Sequence, residues 1–150
     1  MIQIPTQKLL PWAPLAIRVA LGVIFIAHGG QKLFGLWGGA GLQATFDAFE
    51  SNMGIPPWLT LMAVLAESFG GLAVLIGLLT RLASLSLGIV MLVAIFAAHL
   101  QHGFFMNWGL VRGMGHGIEF NLALLGMSLG LILSGPGQLS LDRLLGIEKN

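Results

Sequence analysis

The chain contains no cysteine and no tyrosine among its 150 residues, and only 9% of it is charged. Without cysteine there is no disulfide, no thiolate-held iron–sulfur cluster, no c-type haem attachment and no thiol nucleophile. Without tyrosine there is no phenolic proton donor. An ordinary soluble domain is roughly 25% charged, so the shortage of charge points away from a water-soluble module. The formal net charge is +1, and no basic run or aromatic–basic ladder offers a surface to nucleic acid. The chain also lacks internal repeats and low-complexity segments. Any redox chemistry must therefore depend on a bound cofactor, a metal or a partner.

What the chain has instead is hydrocarbon. It is 56% hydrophobic, and four apolar stretches stand out: Leu15–Leu36, Leu59–Leu79, Leu82–Leu100 and Ile118–Leu133. Each is near the roughly 17–25 residues that a spanning helix needs. The expected architecture is all-α, a transmembrane four-helix bundle in a single integral membrane domain, residues 1–150. At this level of reading the helices lie at about 15–36, 58–79, 82–102 and 116–134. The first stretch is too long for the apolar region of a signal peptide, lacks a small-residue cleavage site and carries His28 and Lys32, so it reads as a retained helix.

Punctuation supports these boundaries. Pro14 and Pro56-Pro57 suit the first turns of helices, and Trp58 suits the membrane interface. Leu79-Thr80-Arg81-Leu82 leaves room only for a tight antiparallel hairpin, and Gly135-Pro136-Gly137 stops the last helix. Between helices 1 and 2 a glycine-rich segment leads into Leu42, Phe46 and Phe49 on one face, with Asp47 and Glu50 on another. That spacing predicts a short interfacial helix, with an irregular loop as the alternative. The tail with Ser140, Asp142 and Arg143 reads as a short interfacial turn. Lys8, Arg18, Arg81, Arg143 and Lys149 gather on the side of the termini, against Lys32 and Arg112 opposite, which places both termini in the cytoplasm. On that topology Arg18 and Arg81 snorkel to the cytoplasmic headgroups.

Seven polar side chains interrupt the apolar stretches: His28, Lys32, Glu67, His99, His102, His116 and Glu119. A charge at the bilayer centre costs roughly 3 kcal/mol or more, so such residues face a bundle interior, a cavity or one another. All seven fall in the outer half of the proposed bundle. His28 and Lys32 are i,i+4, while His99 with His102 and His116 with Glu119 are i,i+3, so each pair shares a helix face. Glu67 lies along a small-residue row with Ala63 and Gly71, and Glu119 along another with Ala123, Gly126 and Gly130. Both faces are expected to point inward, around a polar pocket open to the outside. Asn121 is about 200° around the helix from Glu119 and is assigned to interhelical hydrogen bonding. Met91, Met106, Met114 and Met127 read as packing.

Duller readings exist for each member. Lys32, His102 and His116 stand near helix ends within reach of interfacial water, His28 could be a satisfied core histidine, and Glu67 could form a structural pair with Lys32 or a histidine. The chemistry also stays open. Histidine beside a carboxylate suits a quinone head group. Histidine and glutamate on facing helices could instead hold a metal, two histidines could ligate a haem, or the cluster could bind no cofactor.

Together the motifs resemble the DoxX family of small four-helix bacterial membrane proteins. The resemblance is carried by Arg18-x-x-x-Gly22 leading to His28-Gly29-x-x-Lys32-Leu33, and by the glycine-rich segment with Phe46 and Gly54-Ile55-Pro56. It continues through Ala66-Glu67-x-x-Gly70-Gly71, Gly77-Leu78-Leu79-Thr80-Arg81, Met91, His99 and Glu119, and ends in Gly135-Pro136-Gly137-Gln138-Leu139-Ser140-Leu141-Asp142. It implies a multi-pass protein of the bacterial cytoplasmic (inner) membrane, similar to the membrane subunit of a thiosulfate:quinone oxidoreductase. With no cysteine in the chain, thiol chemistry would belong to a redox partner subunit, or the substrate would bind noncovalently. The expected catalytic set is Lys32, Glu67, His99 and Glu119, with His28, His102 and His116 as cofactor-binding residues at the rim. In that scheme Glu67 and His99 exchange protons with a quinone, Lys32 stabilises developing negative charge and Glu119 orients a histidine. The other readings are a non-enzymatic scaffold or assembly partner, a homo-oligomer among them, and a small proton-coupled transporter.

Overall fold

The computed structural model describes residues 6–148, and within them every regular element is helical. Met1–Pro5 of the N-terminal arm, and Lys149 among the cations behind the topology, lie outside the described residues. Helix α1 runs Gln7–Phe34, with a tight 3-10 turn at Leu10–Trp12 before Pro14 resumes the α-helix. A glycine-rich link follows, then the amphipathic helix α2, Gly41–Met53. Helices α3 (Pro57–Ile76) and α4 (Thr80–His102) form the hairpin, and α5 (Glu119–Ser134) and the single turn α6 (Leu141–Leu144) complete the chain.

Of these, α1, α3 and α4 are long and apolar enough to cross a membrane, and α5 is a shorter apolar helix beside them. Their common core contains Leu21 and Phe25 of α1, Val74 of α3, Leu87 and Met91 of α4, and Leu124 and Leu131 of α5. In lipid, helices gain little from burying apolar surface against each other, so close packing and polar contacts hold such a bundle together. Glycines provide the close packing between α1 and α3. A Cβ on Gly22 would stand 2.8 Å from Leu75 Cβ, one on Gly29 2.5 Å from Ser68 Oγ, and one on Gly71 2.9 Å from Phe25 Cβ. Gly29 lies one turn before Lys32, and Ser68 follows Glu67, so this crossing places the two charged residues side by side. Gly29→Ala should therefore destabilise the bundle by about 1–3 kcal/mol, as overpacking does. Gly126→Ala, where no atom lies within 4 Å, should stay within about 0.5 kcal/mol of the parent. Unfolding of the two variants in detergent measures the difference.

The expected inward face of the last helix is turned the other way. Asn121, Leu124, Ser128 and Leu131 are buried, whereas Ala123 and Gly126 are exposed. The large apolar side chains on the Asn121 face outweigh the small-residue row beside Glu119 in choosing what packs inward. Asn121 does make its interhelical contact, donating from Nδ2 to Met91 Sδ at 3.6 Å. Helix α5 also starts at Glu119 because the preceding backbone pairs elsewhere. The N–H groups of Gly117, Ile118 and Glu119 donate to the carbonyls of Phe105, Gly103 and Phe104, at 3.0, 3.1 and 2.9 Å.

Arg18 does not snorkel. It sits on the buried face of α1 with Leu21, Gly22 and Phe25, and only 1% of it is exposed. All five guanidinium N–H groups are used. Nε donates to Val74 O (3.0 Å), Nη1 to Pro136 O (2.9 Å) and Gln138 O (3.0 Å), and Nη2 to Leu75 O (2.9 Å) and Leu139 O (3.0 Å). The charge thus satisfies carbonyls left over at the C-terminus of α3 and the turn after α5. Gly77, at φ +70°, ends α3 where an added Cβ would meet Ser140 and the guanidinium within 2.7 Å.

Nor does the tail lie free at the interface. Asp142 is fully buried against the α3–α4 turn, accepting from Leu79 N (2.6 Å), Thr80 N (2.8 Å) and Thr80 Oγ1 (2.6 Å). This holds Leu79 in the left-handed region, at φ +46°, a conformation that leucine seldom adopts unaided. Arg81 stays exposed, with Nε 3.0 Å from Glu148 and Nη1 donating to the end carbonyls Ile132 O and Leu133 O of α5. Gln138 N donates to Pro11 O at 2.8 Å, so the N-terminal turn and the tail meet at one end of the bundle.

Candidate functional site

The site lies at the opposite end, and two local departures from α-helix build it. Helix α3 widens into a π-turn at Ala66–Gly70 and α4 into another at Ile95–His99. Such bulges re-aim side chains and often occur at functional positions. The first holds Glu67 and the second ends on His99.

Glu67 is 3% exposed. Both its oxygens accept from Lys32 Nζ, at 2.5 and 2.6 Å, across the glycine-lined α1–α3 crossing. The ammonium also stands 5.7 Å from the centroid of the Phe49 ring, a cation–π distance. Thr45 of α2 is buried, its hydroxyl donating to Gly41 O at 2.8 Å and lying 3.4 Å from the carbonyl oxygen of Lys32. Helix α2 is thereby seated over the ion pair, with the apolar face predicted from Leu42, Phe46 and Phe49 turned toward the bundle.

Beside the pair is a cavity of about 550 Å³ between α3 and α4, covered at one end by Phe49 and Met53. Alanines make the space: Ala63 and Ala66 on α3 face Ala94, Ala97 and Ala98 on α4. Met62, Ile89 and Val93 border it and are themselves about half exposed or more on the apolar outer surface, so the cavity opens sideways. Its charged and imidazole groups are Lys32, Glu67 and His99.

The other four sequence-expected residues take different places. Glu119 does not line the cavity, and its hydrogen bonds go to the loop rather than to a histidine. Its Oε1 accepts from Met106 N (2.8 Å) and Trp108 Nε1 (2.9 Å), ordering the loop between α4 and α5. His116 belongs to the same loop. Its carbonyl lies 2.8 Å from His99 Nδ1, and its own Nδ1 accepts from Asn107 N at 3.2 Å. His102 is exposed, with its ring against Gly115, where an added Cβ would clash with the imidazole. His28 is on the exposed side of α1, outside the cavity. Among the described residues, no three His, Asp or Glu side chains converge as a metal-binding group.

Three contributors escaped sequence reasoning. Phe49 was legible on an apolar face and Met53 was not, and neither was legible as a cover for the cavity. Asn107 gave no periodic signal. It is buried in the loop, with Nδ2 donating to Val111 O (3.0 Å) and Met114 O (2.7 Å) and Oδ1 accepting from Val111 N (2.9 Å).

Comparison with known proteins places this geometry in context. The family model described as DoxX matches residues 13–100. The chain is 33% identical over 139 residues to "Inner membrane protein YqjF" of Escherichia coli, covering 93% of this chain and 96% of that one. It is 30% identical over 128 residues to "Putative oxidoreductase CatD" of Bacillus subtilis, covering 85% and 83% respectively. It is 37% identical over 139 residues to "Uncharacterized membrane protein Rv3486" of Mycobacterium tuberculosis, covering 89% and 81%. No solved structure matches the chain at a significant level.

Proposed function

This chain belongs to the DoxX family, and from that premise we propose that its lateral cavity binds a quinone head group as the membrane subunit of a quinone-linked oxidoreductase. The protein is a multi-pass protein of the bacterial inner membrane. The observation that carries the proposal is an apolar cavity, open toward lipid, whose charged and imidazole groups are Lys32, Glu67 and His99. Its volume of about 550 Å³ is within the roughly 300–1,000 Å³ of small-molecule sites. A quinone reaches such a mouth from the hydrocarbon without crossing water. One relative carries oxidoreductase in its name.

In the reductive direction the quinone takes two electrons from a redox partner subunit and two protons, becoming the quinol. The chain holds no thiol, so electron delivery belongs to that partner. Lys32 stabilises negative charge on the head-group oxygen nearest it, and Glu67 and His99 exchange protons with the head group. On the topology that the lysine and arginine distribution favours, with both termini in the cytoplasm, the cavity lies in the outer half of the membrane.

Purified protein in mild detergent should bind a short-chain benzoquinone analogue, and Glu67→Gln should weaken that binding at least tenfold, about 1.4 kcal/mol. Folded protein that binds no analogue would overturn the proposal. A second reading draws on the closed Lys32–Glu67 pair, which could serve only to lock α1 to α3 in a scaffold protein. In that case Glu67→Gln lowers stability and leaves quinone binding unchanged.

A further inference from the structure

The polar rim of the cavity has a hydrogen-bonding sense, set by the α4–α5 loop. His99 Nδ1 lies 2.8 Å from the carbonyl oxygen of His116. A carbonyl only accepts, so Nδ1 carries the ring proton, and in a neutral imidazole Nε2 is then a bare acceptor. At the other polar corner Lys32 gives two of its three N–H groups to the oxygens of Glu67, so that corner can both donate and accept and leaves the choice between quinone and quinol to His99. We infer that His99 offers the cavity an acceptor alone, so that the site favours the hydroxyl-bearing, reduced form of its head group, and that Glu119 and Asn107 are positioning residues that keep it so. This rests on the quinone-site reading above.

The loop fixes the sense because the His116 carbonyl cannot readily turn away. The His116 ring accepts from Asn107 N, the Asn107 amide spans Val111 and Met114, and Gly117 N donates to Phe105 O at 3.0 Å. Glu119 Oε1 joins this fold to the first turn of α5 by holding Met106 N and the Trp108 indole. A quinone carbonyl brought to Nε2 sets lone pair against lone pair. A quinol hydroxyl donates to Nε2, and its second hydroxyl can donate to Glu67. Sites built to bond a hydroxyl discriminate against analogues lacking it because their own polar groups are then left unpaired.

The test uses the full chain in lipid nanodiscs under anaerobic conditions, with a short-chain benzoquinone and the quinol made from it by dithionite. Calorimetry should give a quinol at least tenfold tighter than the quinone. His99→Phe should bring the two within about threefold of each other by weakening the quinol. Glu119→Ala should do the same, whereas Glu119→Gln, whose amide oxygen can still accept both loop donors, should keep the preference. Nitrogen NMR of ¹⁵N-histidine-labelled protein, with the His99 signals identified by loss in His99→Phe, should show the Nδ1–H tautomer in the parent and in Glu119→Gln. It should show a mixture in Glu119→Ala. Equal or quinone-favouring affinities in the parent, or an Nε2–H tautomer, overturn this inference and leave the quinone-site reading standing. Binding of neither form overturns both. An unchanged preference in a folded Glu119→Ala removes Glu119 from its assigned role, and if that variant does not fold, the parent's tautomer and affinity ratio still decide the matter.

Discussion

Lys32→Met should cost the folded protein about 3–5 kcal/mol, because it leaves the carboxylate of Glu67 buried with no counter-ion. Glu67 is 3% exposed, and Lys32 Nζ is the hydrogen-bond donor to both its oxygens. The double replacement Lys32→Met with Glu67→Leu should recover most of that loss, since a buried ion pair exchanged for apolar groups of similar size is often neutral or better. Urea or thermal unfolding in a fixed detergent measures both variants. Quinone-analogue binding on the same samples separates structure from function. A double variant that is stable but binds no quinone assigns the pair to the site. If it is stable and binds as the parent does, the pair is a structural lock and Lys32 and Glu67 lose their assigned roles in the quinone site.

The second large effect is expected at the opposite end. Arg18→Met should destabilise by about 3–5 kcal/mol, because it strands carbonyls that the guanidinium served, those of Leu75, Pro136, Gln138 and Leu139. Arg18→Lys should rescue little, since an ammonium has three donors and no planar fork. The loss should also be local before it is global. Hydrogen exchange across residues 136–148 should accelerate in both variants, as the tail is held by Arg18 and by Asp142 on Leu79 and Thr80. Unchanged protection of the tail in Arg18→Met would show that Asp142 alone secures it.

Much of this molecule was readable in one dimension, for definite reasons. Each run such as Leu59–Leu79 is nearly free of charge, and hydrocarbon tolerates a backbone only when its hydrogen bonds are closed within a helix. Glu67 stood out because a carboxylate in such a run must find a partner, and it found Lys32. Arg18 obeyed the same rule but was assigned to headgroups. Its partners are backbone carbonyls up to 121 positions away, which carry no residue-type signature. Glu119 acts through a loop rather than along a helix face, for a related reason. Its spacing to His116 suggested a shared helix face, but the backbone of residues 117–119 pairs with residues 103–105 and turns that segment into a loop.

The sequence by itself therefore determined that the chain is a helical membrane protein, where its spans lie, and that Lys32, Glu67 and His99 are out of place in hydrocarbon. Those properties follow from the transfer cost of individual side chains, which depends on residue type and local periodicity. Only the tertiary structure decided which of the seven polar residues meet. The approach of α1 to α3 depends on where glycines face each other, and the space between α3 and α4 on where alanines do. The direction of the His99 ring depends on a carbonyl 17 residues away. Contacts of that kind arise from shape and from backbone groups common to every residue, and these become specific only when the chain is folded.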